Sequence, residues 1–204
     1  MQQQSLFSTT TEKITVINRD GMVNYFPEFL NKEEARILFL YLKNQIAWQQ
    51  RSIKLFGRNI KQPRLIFFAA EQKLYYRYSG DILIAAIWDE RIKMLSQKLT
   101  ELTDSKFNSV LLNYYRNGLD SMGWHADNEP ELGQCPTIAS VTLGDERPFK
   151  FRHKDGETIA LMPASGSLLM MSGELQSHWK HALPKKNTLF QQMGRINLTF
   201  RYIG

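Results

Sequence analysis

The sequence predicts a mainly β fold, a sandwich or jelly roll with flanking helices packed on its outside. Two stretches in the first half carry apolar residues at helical spacing, and from Phe107 onward the pattern changes to short runs separated by turn residues. With 43% hydrophobic residues in 204, the chain can also bury a sizeable core.

The elements follow in order. Residues 1–12 are rich in Gln, Ser and Thr and read as a disordered tail, leaving 13–204 as a single domain. Asn31 and Glu34 have the spacing of a capping box, and Ala35, Leu38, Phe39 and Leu42 recur at helical intervals, so a helix is expected over 32–46. A second amphipathic stripe is formed by Trp88, Ile92, Leu95, Leu99 and Leu102. Strands are expected within 107–116, 137–143, 147–153, 157–162, 166–172 and 193–202. Neither an internal repeat nor a linker divides the chain.

Composition narrows the function classes. The 26 Lys and Arg exceed the 20 Asp and Glu, giving a net charge of +6 and a pI near 9.4, which favours an anionic partner such as nucleic acid. Cys135 is the only cysteine, which excludes an intramolecular disulfide, disfavours a cysteine-rich zinc site and fits a reducing compartment. No apolar run reaches the about 18 residues a membrane span needs, and the start lacks a signal-peptide pattern, so the expectation is a soluble, unexported protein; a monomer is expected as well.

Three separated segments carry the chemistry. In Gly123-Trp124-His125-Ala126-Asp127, His125 and Asp127 are two apart. In extended chain that spacing points both side chains to one face, where an imidazole and a carboxylate can approach one metal ion. Two histidines and one carboxylate on one side of an iron leave positions open for oxygen chemistry. The third ligand is expected in Ser177-His178-Trp179-Lys180-His181-Ala182-Leu183-Pro184. Residues three apart on a strand face opposite ways, so only one of His178 and His181 can serve, and spacing does not choose. His153, inside the basic run Arg152-His153-Lys154, reads as solvated or phosphate-facing.

The cosubstrate signal is Arg195-Ile196-Asn197-Leu198-Thr199-Phe200-Arg201. As a strand it puts Arg195, Asn197, Thr199 and Arg201 on one face and Ile196, Leu198, Phe200 and Tyr202 on the other. Two buried guanidinium groups are costly unless they meet an anion, so a dicarboxylate ligand is expected. Asn113 and Tyr115 follow the same two-residue parity and can donate hydrogen bonds to carboxylate oxygens.

Assembled, these residues resemble the AlkB family of nucleic-acid dealkylating dioxygenases, most closely its duplex-DNA-acting homologue 2 branch. The resemblance runs from about Leu55 to Arg201. It implies a double-stranded β-helix, or jelly roll, using iron(II) and 2-oxoglutarate to demethylate alkylated DNA bases oxidatively, with release of formaldehyde, succinate and carbon dioxide. His181, before Ala182-Leu183-Pro184, becomes the third metal ligand beside His125 and Asp127. Arg195 would pair with the distal carboxylate of 2-oxoglutarate, assisted by Asn197 and Tyr115, while Arg201 and Asn113 would contact the carboxylate nearer the metal.

The resemblance also implies a nucleotide-recognition lid over about residues 50–80. It contains Arg64, Tyr76, Ser79 and Tyr78, the last stacking on a base flipped out of the duplex, with Asn128 and Glu129 nearby. Leu55-Phe56-Gly57, flanked by basic residues, would be the finger that fills the gap left by that base. Arg152-His153-Lys154 and Lys185-Lys186 could add phosphate contacts. Asn128 replaces an acidic residue of the close branch, and Phe68-Ala69-Ala70-Glu71 lacks its Gly-Asp, which leaves the lesion range open. A related hydroxylase acting on RNA or protein would keep the same metal site, and a non-catalytic jelly-roll binding module would turn over no 2-oxoglutarate. Gln3-Gln4-Ser5-Leu6-Phe7 resembles the peptide by which bacterial replication and repair proteins dock on the sliding clamp. A DNA-acting protein of this kind would work in the cytoplasm or nucleus, according to its source.

Overall fold

Polar caps start both long helices, the first of them at the capping box that the sequence shows. In the computed structural model, which describes residues 12–55, 58–78, 81–186 and 193–204 (backbone alone at 53–55, 58, 77, 78 and 81), α1 spans Lys32–Gln45. The Asn31 side chain accepts from the backbone N–H groups of Glu33 and Glu34, and the Glu34 carboxylate accepts from Asn31 N at 2.8 Å, completing the capping box. Helix α2 (Glu90–Thr103) starts at Asp89, whose carboxylate accepts from Ile92 N at 3.0 Å. Its stripe differs from expectation at both ends: Trp88 is buried but precedes the cap, and Leu102 is exposed on the last turn.

The strands in chain order are β1 (Ile14–Asn18), β2 (Met22–Phe26), β3 (Ser52–Leu55), β4 (Arg58–Lys61), β5 (Leu65–Ala70), β6 (Tyr75–Tyr78), β7 (Asp81–Ile84), β8 (Ala86–Ile87), β9 (Ser109–Tyr115), β10 (Met122–His125), β11 (Ile138–Gly144), β12 (Phe149–His153), β13 (Thr158–Leu161), β14 (Leu168–Ser172), β15 (Trp179–Leu183) and β16 (Arg195–Arg201). A short helix, α3 (Leu175–His178), leads into β15. The larger sheet has eight strands in the order β1-β2-β14-β11-β16-β9-β5-β8, and the smaller has four in the order β10-β15-β12-β13. Neighbours separated in sequence mark a jelly roll rather than a meander.

Two apolar layers hold this arrangement. One lies between the larger sheet and the helices, where Phe39, Leu42, Ile92 and Leu99 meet Val110, Leu112, Leu198 and Phe200. The other joins the sheets, with Phe149, Phe151 and Leu183 from the smaller meeting Ile138, Leu169 and Met171 from the larger. Alternation explains both, because successive residues of β16 point to opposite faces and both faces are covered. Tyr202 is a correction: it lies beyond the strand and is 53% exposed, so the apolar face of β16 ends at Phe200. Gly144, at the end of β11, has φ +84, and a Cβ there would stand 2.3 Å from the Gly194 carbonyl, so the approach of β11 to the start of β16 requires glycine.

The region expected to form a lid contains two hairpins, β3–β4 and β6–β7, the second packed on β5 through Tyr76, Leu83, Ile66 and Phe68. The backbones of Leu55 and Tyr78 are described, whereas Phe56, Gly57, Ser79 and the tail with Gln3–Phe7 lie outside the described residues. Among the described residues no helix is long and apolar enough to cross a membrane.

Candidate active site

Strand register brings the first two histidines together. On the smaller sheet β10 runs antiparallel to β15 with His125 opposite His181, and their rings meet edge-on with centroids 4.2 Å apart. Phe149 stacks on His181 at 5.5 Å and limits its rotation. Asp127, just past β10, is held by the buried Gln176 of α3, whose side-chain oxygen accepts from Asp127 N at 2.9 Å. One ligand atom each from His125, Asp127 and His181 then lies within 4.8 Å of the other two.

The electrostatics of this cluster suit a cation. His125 Nδ1 lies 2.9 Å from the Gly123 carbonyl, so that nitrogen carries the proton and Nε2 keeps a lone pair. Burial lowers the His125 imidazole and takes His181 down to about 3, with Arg201 acting in the same direction, so both rings are neutral near pH 7. Burial alone would raise the Asp127 carboxyl, but Arg201 and the two histidines outweigh it and hold it below the usual range. Asp127 Oδ2 meets an Arg201 guanidinium nitrogen at 2.9 Å, whereas the buried Oδ1 has no hydrogen bond and faces His125 Nε2 at 3.9 Å. An orphaned carboxylate oxygen between two neutral imidazoles fits a divalent metal of the iron class.

The larger sheet supplies the other wall. Register sets Arg195 opposite Tyr115 and Asn197 opposite Asn113 on β9, with Thr142 and Ser140 of β11 across from Asn197 and Thr199. Arg195 is 1% exposed, and one terminal nitrogen donates to Thr142 Oγ1 and Asn197 Oδ1, each at 2.9 Å. Its Nε has no partner, and among the described residues no carboxylate pairs with it. Burial pulls this guanidinium down to about 10. Asn197 donates to Thr199 Oγ1 at 2.9 Å, and Asn113 Oδ1 accepts from Arg64 Nε at 2.8 Å, which leaves the Asn113 N–H groups for an acceptor in the cleft it lines.

All nine residues expected for metal and cosubstrate, namely Asn113, Tyr115, His125, Asp127, His181, Arg195, Asn197, Thr199 and Arg201, line this one narrow cleft. A wider groove of about 920 Å³ lies between α1 and α2, but it is mainly apolar and gathers no such polar groups. Arg64 is buried rather than offered to solvent, and Tyr76 is enclosed between Phe68 and Arg201, beneath the surface a base could reach. Asn128 is exposed and Glu129 half-buried beside the cleft. His153 corrects the sequence reading: it is 3% exposed, neither solvated nor phosphate-facing, while its neighbours Arg152 and Lys154 remain exposed.

Sequence reasoning missed four contributors. Ser140 and Thr142 obey the same two-residue parity as the arginine stripe and could have been found by it. Gln176 carried no local signal. Neither did Arg147, buried with its guanidinium on the carbonyls of Asn117, Asp120 and Pro184, which clamps the turn after β9 to the turn after β15.

Known proteins resemble the chain in sequence and in fold. Residues 22–201 match the family described as the 2OG-Fe(II) oxygenase superfamily. The chain is 36% identical over 188 residues to the alpha-ketoglutarate-dependent dioxygenase alkB homolog 3 of Bos taurus, covering 87% of this chain and 64% of that protein. The Homo sapiens homolog 3 is 34% identical, over 92% of this chain and 72% of its own length. The DNA oxidative demethylase ALKBH2 of Mus musculus is 33% identical, over 92% and 82% respectively. These near-equal identities extend the likeness to both branches. The solved structure of OsALKBH1 superposes with a TM-score of 0.65 at 14% identity, covering 92% of this chain and 99% of that one, a likeness of fold.

Proposed function

The chain belongs to the AlkB family of 2OG-Fe(II) oxygenases, and from that premise we propose that it oxidatively demethylates alkylated bases in DNA. What carries the reading is the Arg195 guanidinium, buried without an acid partner among the described residues, in the same cleft as two neutral imidazoles and an orphaned carboxylate oxygen. One arrangement satisfies both: a dicarboxylate held by the arginine at one end and by a metal at the other.

In this reading His125, Asp127 and His181 hold the iron. Arg195, with Tyr115 and Asn197, takes the distal carboxylate of 2-oxoglutarate; Thr199 fixes the Asn197 amide by accepting from it. Arg201 and Asn113 take the carboxylate nearer the metal, and the Arg201–Asp127 pair keeps the ligand carboxylate ionised and oriented. Met122, Phe149 and Met171 give the cleft an apolar wall. When bound, iron and the keto acid supply the oxidation: with dioxygen the keto acid becomes succinate and carbon dioxide, and an N-methyl carbon is hydroxylated and leaves as formaldehyde.

The methylated edge of a paired base is inaccessible, so the base must be single-stranded or flipped out, and Tyr78 would be the ring that stacks on it, with Ser79 assisting. Arg64, Tyr76, Asn128 and Glu129 would assist, Arg64 through its hydrogen bond to Asn113 and Glu129 from beside the cleft. Leu55-Phe56-Gly57 would occupy the gap in the duplex, Lys185-Lys186 and the exposed Arg152 and Lys154 would meet phosphates, and Gln3–Phe7 would dock on a sliding clamp. The test is formaldehyde release from methylated single-stranded DNA, duplex DNA and RNA, with iron(II) and 2-oxoglutarate each present or omitted. Release from DNA that needs both is expected; activity confined to RNA or to peptides would replace the proposed substrate.

A further inference from the structure

A second convergence of two imidazoles and a carboxylate stands outside the cleft. Asp20 lies in the turn between β1 and β2, His153 ends β12, and His178 ends α3; one ligand atom from each lies within 4.8 Å of the other two. The fold aims them together. Gly21 has φ +119, and a Cβ on it would stand 2.4 Å from Leu175 N, so the turn carrying Asp20 is pressed against the start of α3. The β12–β15 register sets His153 beside Trp179, whose indole donates to the Arg19 carbonyl at 2.9 Å and ties the same turn down.

We propose that Asp20, His153 and His178 bind a divalent transition-metal ion of the zinc class, fastening the β1–β2 turn to β12 and α3. His153 Nδ1 lies 2.9 Å from Asp155 Oδ1 and 3.3 Å from Asp155 N. With Nδ1 accepting from Asp155 N the ring proton sits on Nε2, and with Nδ1 protonated toward Asp155 Oδ1 the lone pair sits on Nε2 instead. That buried nitrogen makes no well-formed hydrogen bond and faces Asp20 Oδ2 at 3.1 Å. A lone pair and a carboxylate oxygen this close repel unless a proton or a metal ion joins them. A proton alone would account for His153 and Asp20. It leaves unexplained His178, whose ring lies parallel to that of His153 within 6° and whose buried Nδ1 has no partner.

A metal accounts for all three. Imidazoles with a carboxylate are a transition-metal donor set, and Asp155 is placed as the outer carboxylate that orients a ligating histidine. Ligand bonds of about 2.0–2.1 Å put donors roughly 3.3 Å apart. The cluster must therefore contract, and Asp20 is exposed and His178 half-exposed, so both side chains have room to move. Arg19 bridges Asp155 and Glu157 at 2.6 and 2.9 Å and lies 3.5 Å from Asp20, so it competes for the acids from the solvent side.

Zinc binding by the full chain, stripped with chelator and read by native mass spectrometry and calorimetry, tests this site. In a His125→Ala/Asp127→Ala background, which lacks ligands of the cleft, one zinc ion per chain is expected, and wild type should bind two. Adding Asp20→Asn or His178→Gln should weaken the background site at least tenfold while leaving metal-free melting unchanged. Cobalt(II) at the site should give a tetrahedral absorption band that the same variants remove. No zinc on the background protein, or binding indifferent to both substitutions, overturns the proposal whatever the enzyme's activity.

Discussion

At the scale of single residues, the cleft separates groups that act on the metal from groups that act on the cosubstrate. His125→Ala, Asp127→Ala and His181→Ala should each reduce formaldehyde release below detection and abolish iron binding in the cleft, whereas His178→Ala should leave turnover largely intact. The reason is the β10–β15 register, which puts His181 and not His178 opposite His125. Measuring both quantities for all four variants decides it; turnover surviving in His181→Ala would reverse the assignment. Arg195→Ala should raise the 2-oxoglutarate requirement by about 10²–10⁴-fold, the equivalent of the roughly 3–5 kcal/mol lost when a buried ion pair loses one partner. DNA affinity should change far less, because Arg195 is closed off from the surface. Separate titrations of cosubstrate and oligonucleotide distinguish the two, and equal weakening of both would remove Arg195 from cosubstrate binding.

At the scale of elements, the turn between β9 and β10 shows how the wall and the metal strand are joined. Asp120 accepts from Arg116 N, Nε and Nη2 at 3.0, 2.7 and 2.9 Å. Burial would raise its carboxyl, but these contacts outweigh burial and lower it. A lowered folded value means that its stabilisation is complete above the unfolded carboxylate value of about 3.9 and is lost as pH falls through the lower folded one. Asp120→Asn should therefore cost about 1 kcal/mol at pH 7, nearer the lower end for charged hydrogen bonds because Arg116 is 39% exposed. The gap from wild type in urea unfolding should begin to shrink near about pH 4 and close only below the lower folded value; a gap independent of pH would mean that the amide loses shape complementarity rather than charge.

At the scale of the whole molecule, the cleft draws ligands from both sheets, so filling it should couple them. Added to the iron-loaded protein at about a hundred times its dissociation constant, 2-oxoglutarate contributes roughly 2.7 kcal/mol. For a chain of this length that corresponds to a rise in melting temperature of about 5–10 °C. Anaerobic melting should show the rise in wild type and lose most of it in Arg195→Ala; an equal rise in both would place cosubstrate binding elsewhere. Duplex handling belongs to this scale as well. Phe56→Ala should lower the ratio of duplex to single-strand repair several-fold, since only a duplex leaves a gap when a base is extruded. An unchanged ratio would reduce Phe56 to a packing residue.

Local rules made much of this legible. The period of two in Arg195-Ile196-Asn197-Leu198-Thr199-Phe200-Arg201 determined which face is polar, the capping box located α1, and the spacing of His125 and Asp127 set both on one side of the chain. Each depends on residues within one element, where backbone geometry alone dictates direction. Tertiary structure decided what depends on contacts between distant segments. Spacing could not choose between His178 and His181, whereas strand pairing puts His181 beside His125, and His178, on α3 rather than on the strand, stacks beside His153. The run Arg152-His153-Lys154 looked uniformly solvated, but alternation buries its middle residue under the β1–β2 turn, and no rule internal to β12 says what covers that face. Gln176 and Arg147 were illegible for the same reason: they satisfy backbone groups far away in sequence, and only the folded chain brings those groups within a hydrogen bond's reach.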